Sequence, residues 1–463
     1  MSRGRQWVLR LGLRLAAGLV GLGGVHSPRR RALVLPSMLS GLIAAAGLAG
    51  AMVAGGSPAS ASSARVGFAA GTVSTIAQGL PLKTRSATPP VQATAIAVSV
   101  PVTPRWTRGV DGRIHVDYDL LITNWVPGTV ILRAVQVVGP RGAVLLTLAG
   151  ANLIAHTHLL ADLGDATPTA AIPASASVAI IVDVVLPGQE ASLQPAAVPA
   201  ALTHRIGYQL PANLDPHIRP FIGSLRVFGP QTPVAPAPPT VVSPPLRGSG
   251  WVNAVGCCQP SRHRSLLYTA NGQWIKGETW AIDWVQVRNG RLFAGDGSKN
   301  TQWYDFGSPV RAVAGGMVVR AIDGRPDNPP NNEPIMPNPD SFSGNYVIVQ
   351  IHPGVYAQYA HLKKGSVAVR VGQRIGAGQQ LGQLGDSGNS TAPHLHFGLL
   401  NQPDETMAHQ PGETLANSLP WVFNRFTFLG NVNLDTWPFL KITGTPHPAG
   451  REYPLLGSVV AFP

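Results

Sequence analysis

The chain has 463 residues, of which 44% are hydrophobic and only 12% charged, about half the charged share usual for soluble domains. Its 52 glycines and 43 prolines favour strands, turns and linkers over a coiled coil or helical bundle, and its two cysteines, adjacent at Cys257 and Cys258, exclude a disulfide-stapled scaffold and a four-cysteine zinc site. The net charge of +13 falls to +6 once the seven arginines of the acid-free residues 1–61 are set aside, which suits contact with anionic envelope polymers and gives no basis for nucleic-acid binding.

Residues 1–61 read as an export signal. Arg29, Arg30 and Arg31 precede an apolar run from Ala32 to Gly56, and Ala59-Ser60-Ala61 supplies the small-residue cleavage pattern. Arg30-Arg31 also fits a twin-arginine signal loosely. The run at 32–56 is long enough to span a bilayer, so an uncleaved anchor is the other reading, and it is the one route by which the chain would contact a membrane. Residues 62–100, rich in Ala, Ser, Thr and Pro, form a flexible lead-in.

From 101 to 229 the pattern has a period of two. Ile114, Val116, Tyr118, Leu120 and Ile122 alternate with His115, Asp117, Asp119 and Leu121, which puts one set on a core face and the other outward. Val178, Ile180, Val182, Val184 and Leu186 repeat it. Short strands broken by Gly139-Pro140 and Pro187-Gly188 predict a β-sandwich without an active site of its own. His156 and His158, with only Asp162 and Asp165 near them in sequence, read as surface histidines rather than a metal site. Residues 230–250 carry seven prolines and read as a semi-rigid linker between units that need not touch. The last unit spans 251–430, and an extended tail over 431–463 packs back on it.

The chemistry concentrates in that last unit. In Ser387-Gly388-Asn389-Ser390-Thr391-Ala392-Pro393-His394-Leu395-His396-Phe397, a strand would point both imidazoles to one face, with Cα atoms about 6.6 Å apart. One ring can then hold a metal while the other faces the reacting water. With Trp280-Ala281-Ile282-Asp283-Trp284, Gly307 to Val318, Gly344 to Val349, Tyr359-Ala360-His361-Leu362 and Gly385-Asp386-Ser387-Gly388 in the same order, residues 250–400 resemble the lysostaphin-type zinc metallopeptidases that cut peptidoglycan peptides.

For the last unit the resemblance implies an antiparallel sheet with a groove, the duplicated hybrid motif of that family; with the N-terminal sandwich and the proline-rich linker read above, the expected fold class is all-β. It implies one zinc per chain held by Asp283 and His396, with His394 and His361 facing the reaction as general base and oxyanion stabiliser. Those residue types suit the metal, since catalytic zinc takes three nitrogen or oxygen ligands and leaves one position open.

The family's usual first ligand lies four residues before the aspartate, and here that position is Thr279. Two substitutes stand upstream, His263 and Glu278. A hairpin turning at Asn271-Gly272 would bring His263 back to Asp283. The order Cys-Cys, His-Arg, Ala-Ile-Asp also resembles one branch of the family, and that resemblance favours His263. Cys257 and Cys258 read as a vicinal disulfide orienting that segment. The loop from Gly324 to Gly344, with six prolines, reads as a groove wall. His352 and His409 fit no motif and read as surface. The expected function is an exported zinc endopeptidase of the cell envelope acting on peptidoglycan peptides. The alternative is an inactive relative that binds wall or activates another hydrolase.

Overall fold

The computed structural model describes residues 92–160, 167–188, 198–332, 334, 341–403 and 416–463. The export signal, most of the lead-in, Asp162, Asp165, part of the proline-rich loop and His409 lie outside the described residues.

Among the described residues, eleven strands precede residue 234: β1 (Ile96–Ser99), β2 (Arg105–Arg108), β3 (Ile114–Asn124), β4 (Val130–Val138), β5 (Val144–Ala149), β6 (Thr157–Leu159), β7 (Ala171–Ile172), β8 (Ser177–Leu186), β9 (Ala201–Gln209), β10 (Arg226–Phe228) and β11 (Thr232–Pro233). They form two antiparallel sheets, β1-β3-β8-β6 with β2 beside β3, and β10-β9-β4-β5 with β7 and β11 alongside. One core lies between them. Val116, Tyr118, Leu120, Ile180, Val182 and Val184 of the first sheet meet Leu132, Val135, Val137, Leu202 and Ile206 of the second. Alternation in β3 does what period two dictates. The other face of β3 is not outward, however: His115, Asp117 and Asp119 are all buried, because the rest of the chain covers them. His158 on β6 is buried too, so the surface reading holds for His156, which is only half-buried, and fails for His158.

The chain from 230 to 250 is pinned rather than free. β11 pairs with β9, and β12 (Thr240–Val242) runs parallel to β25 (Trp421–Phe423). The further strands are β13 (Gly248–Val255), β14 (Tyr268–Ala270), β15 (Gln273–Ile275), β16 (Ile282–Gln286), β17 (Pro309–Arg311), β18 (Gly316–Ile322), β19 (Asn345–His352), β20 (Val355–Leu362), β21 (Arg374–Ile375), β22 (Gln380–Gln383), β23 (Leu395–Leu400), β24 (Ser418–Leu419), β26 (Phe426–Asn431), β27 (His447–Ala449) and β28 (Ser458–Phe462). The main sheet has the order β21-β18-β19-β20-β23-β16-β13-β28-β26-β27. Residues 431–463 therefore contribute two strands to it. An aromatic cluster of Trp280, Trp284, Tyr359, Phe397, Trp421, Phe423 and Tyr453 fills the core beneath, and Val110 of the N-terminal segment joins it. Burying aromatic side chains of this size is a large hydrophobic term.

The two halves share more than that core residue. Val110 N–H donates to Tyr453 O at 3.0 Å, Tyr453 N–H donates to Arg108 O at 2.7 Å, and Arg108 pairs with Glu452 at 3.3 Å.

Candidate active site

Register places the first pair. In the β16–β23 ladder Asp283 lies directly opposite His396, so both side chains leave the same face of the sheet. His396 Nδ1 stands 3.0 Å from Asp283 Oδ1. His394, two residues earlier, faces the same side, with Nε2 3.6 Å from Asp283 Oδ1.

His263 arrives from outside the sheet on the helical turn Arg262–Ser265, capped by the Ser261 side chain. The predicted hairpin follows: β14 pairs with β15, and Asn271 (φ 49°) and Gly272 (φ 73°) take the left-handed conformations a type I′ turn needs. The returning chain brings His263 Nε2 to 3.2 Å from Asp283 Oδ2, while its Nδ1–H donates to Ala281 O at 3.2 Å. Glu278, the other candidate, is nearby, its Oε2 3.7 Å from His263 Nε2. Ligand atoms of His263, Asp283 and His396 all lie within 4.8 Å of one another. Two imidazoles and a carboxylate converging at that spacing fit a zinc ion, which binds nitrogen and oxygen at about 2.0–2.2 Å. The expected disulfide joins Cys257 and Cys258, and both are buried.

His361 sits near the end of β20, where Tyr346 alone faces Ala360 and His361 across the β19–β20 ladder. That bulge re-aims the ring, and His361 takes φ 60°, unusual for a residue with a Cβ. Its ring centroid is 4.6 Å from that of His394 and 5.9 Å from that of His396. His361 Nδ1–H donates to Ser387 O at 2.8 Å and His394 Nδ1–H to Ala392 O at 2.9 Å. In the neutral rings these bonds leave Nε2 as the acceptor atom.

Charge follows from the same packing. Burial pushes His361 well below the usual histidine range, with His394 and His396 adding to it, and burial also lowers His394. Both are therefore neutral at pH 7. Burial alone would raise Asp283, but His263 and His394 outweigh it and hold the carboxyl well below the usual range. Burial would likewise lower His263, and facing Asp283 and Glu278 reverse that. Exposed His352 stands apart from this cluster.

Sequence reasoning passed over the groups behind these. Ser390 Oγ lies 2.5 Å from Asp386 Oδ1 and 3.2 Å from His394 Nδ1, and Asn328 of the proline-rich loop donates to Gly388 O and Ser390 O at 2.8 and 2.7 Å. Arg264 and Lys276, both buried, face Asp117 and Asp119. The one signal available was three ionisable side chains on a single face of an otherwise apolar β3.

Residues 303–408 match the model of Peptidase family M23. That span holds His361, His394 and His396; His263 and Asp283 precede it. Peptidoglycan DD-endopeptidase ShyA of Vibrio cholerae is 34% identical over 116 residues, covering 25% of this chain and 23% of that protein. Glycyl-glycine endopeptidase ALE-1 of Staphylococcus capitis is 34% identical over 30% of this chain and 28% of its own length. Lysostaphin of Staphylococcus simulans is 33% identical over 41% of this chain and 30% of its own. The chain thus spans less than a third of the length of these relatives. Among solved structures, the catalytic domain of lysostaphin from Staphylococcus simulans is similar at 20% identity, covering 37% of this chain and 88% of that one, with a TM-score of 0.20. The chain carries a Peptidase family M23 domain.

Proposed function

We propose that the chain is an exported zinc metalloendopeptidase that hydrolyses peptide bonds in peptidoglycan cross-links or bridges. The observation that carries this reading is the convergence of His263, Asp283 and His396 beside two buried neutral imidazoles. The relatives named for peptidoglycan and glycyl-glycine endopeptidase activity support the substrate class. Residues 1–61 supply the export signal, and a mature mass lacking them tests that part.

His263, Asp283 and His396 would hold the zinc. When bound, it supplies a polarised carbonyl and a water whose pKa falls toward about 7. His394 accepts the water's proton at Nε2, since Ala392 O holds its other proton at Nδ1. Once protonated there, the ring can deliver that proton to the leaving amine. His361, whose Nδ1 proton is held by Ser387 O, presents Nε2 beside it; neutral in the resting site, it would stabilise the developing oxyanion once that atom takes up a proton from solvent. The first part of the Gly324–Gly344 loop, fastened to residues 386–391, forms one wall of the substrate groove.

Metal content and wall lysis of the full chain test the assignment together. The parent is expected to hold one zinc, and His263→Ala and His396→Ala to lose it with activity. His394→Ala is expected to keep the metal while turnover on peptidoglycan falls by roughly 10²–10⁴, the usual range for a lost general base. Zinc retained by His263→Ala would move the first ligand to Glu278. A folded parent without zinc would favour a wall-binding or activating role instead.

A further inference from the structure

The helical turn that carries His263 is four residues long, too short to hold itself in place. Its fixed position must come from what grips it. His263's neighbour, Arg264, is fully buried and reaches away from the site into the N-terminal half. Arg264 Nε donates to Asp117 Oδ2 at 2.9 Å, and Nη2 stands 2.9 Å from Oδ1 as an ion pair. Nη2 also donates to Tyr118 O at 3.3 Å, and Nη1 lies 3.5 Å from Asp119 Oδ2. Lys276 closes the frame. Its Nζ pairs with Asp119 Oδ2 at 3.0 Å and donates to Arg264 O at 2.5 Å. The side chain and the carbonyl of residue 264 are thus both tied to β3, one peptide away from His263.

A buried ion pair of this kind adds little net stability over an apolar pair of the same volume, because desolvation offsets most of the attraction. What a hydrogen bond and a close ion pair to one carboxylate supply is direction. We infer that Asp117, acting through Arg264, is a positioning residue for the metal site: the N-terminal sheet sets where His263 points, and the peptidase domain's metal affinity depends on it. The inference rests on the reading of His263 as a ligand. The Arg108–Glu452 pair also joins the two halves, but away from the His263 turn, and so separates positioning from general docking.

The test is cobalt(II) affinity of the full chain, measured by competition with a chromophoric chelator and by the cobalt absorption spectrum, beside the thermal melt of each metal-free variant. Asp117→Asn is expected to bind cobalt roughly 10–100-fold more weakly, the range for lost outer-shell support, with an altered spectrum. Glu452→Gln is expected to bind as the parent does. Should Asp117→Asn not fold, the double variant Asp117→Leu with Arg264→Met replaces the pair by apolar groups and is expected to show the same loss. Parent-like affinity in either folded variant overturns the inference, as does equal weakening by Glu452→Gln. A double variant that also fails to fold makes the pair a plain stability element and overturns it too. If His396→Ala abolishes binding while Asp117→Asn does not, this inference fails alone. A folded parent that binds no cobalt removes the metal-site reading and this inference with it.

Discussion

Asp386 shows how burial sets chemistry one step behind the imidazoles. It is fully buried, its Oδ2 has no hydrogen-bond partner among the described residues, and Ser390 Oγ is the group at its Oδ1. Burial pushes its carboxyl up to about 8, against the pull of Ser390. An unfolded aspartate titrates near about 3.9. Between about pH 4 and 8 the native state therefore holds a proton that the unfolded state has lost, and stability falls as pH rises through that window. Asp386→Asn is expected to remove this component. The parent's melting temperature, taken relative to the variant's, should decline from about pH 4 to about pH 8, and a flat difference would contradict the assignment. Burial favours the neutral forms of His361 and His394 too, but for a base that means a lowered pKa, and the neutral ring is the state a proton acceptor needs.

At the scale of elements, the segment before β23 decides where His394 stands. Gly388 takes φ 78°, and a Cβ there would run into the Gly344 backbone, so two glycines let two backbones touch. Gly388→Ala is expected to lower stability by more than about 1 kcal/mol and to cut activity, because relief of the clash shifts the Ser390–His394 segment. Gly354→Ala, at φ 69° but in open space, carries the backbone strain alone and should leave activity intact. Thermal melts with peptidoglycan turnover for both variants check the contrast. Much of this region was legible from sequence. The His-x-His on a strand, the Asn271-Gly272 hairpin and the vicinal disulfide follow from local rules of period, turn type and adjacency. The cover over β3 was not legible, since alternation separates two faces but does not say which of them meets solvent. The buried hydrogen bond from Arg264 to Asp117 joins residues 147 apart in the chain, and no local pattern reports such a pair. The linker reading failed for a related reason: proline content sets stiffness, whereas the pairing of β11 and β12 depends on partners elsewhere.

Taken whole, the described chain from residue 92 onward is one compact body in which the halves interlock. Thr107 Oγ1 donates to Trp421 O, Val110 enters the C-terminal core, and Arg108 pairs with Glu452. Parting the halves would also leave the buried Arg264 and Asp117 without each other, which is strongly destabilising. The full chain is therefore expected to unfold in one transition, with calorimetry and near-ultraviolet circular dichroism coincident. Two resolved transitions would show the halves to be independent. The placing of β28 between β13 and β26 has a consequence in time. β13 leaves the ribosome about 200 residues before its neighbour. At about 5–20 residues per second, that edge waits about 10–40 s for its partner. Throughout that interval an apolar strand carrying Trp251 and Val252 stands open to pairing with any other nascent chain. Yield at high expression should therefore depend on how fast translation runs through the stretch of message between β13 and β28, and on chaperones that shield the waiting edge.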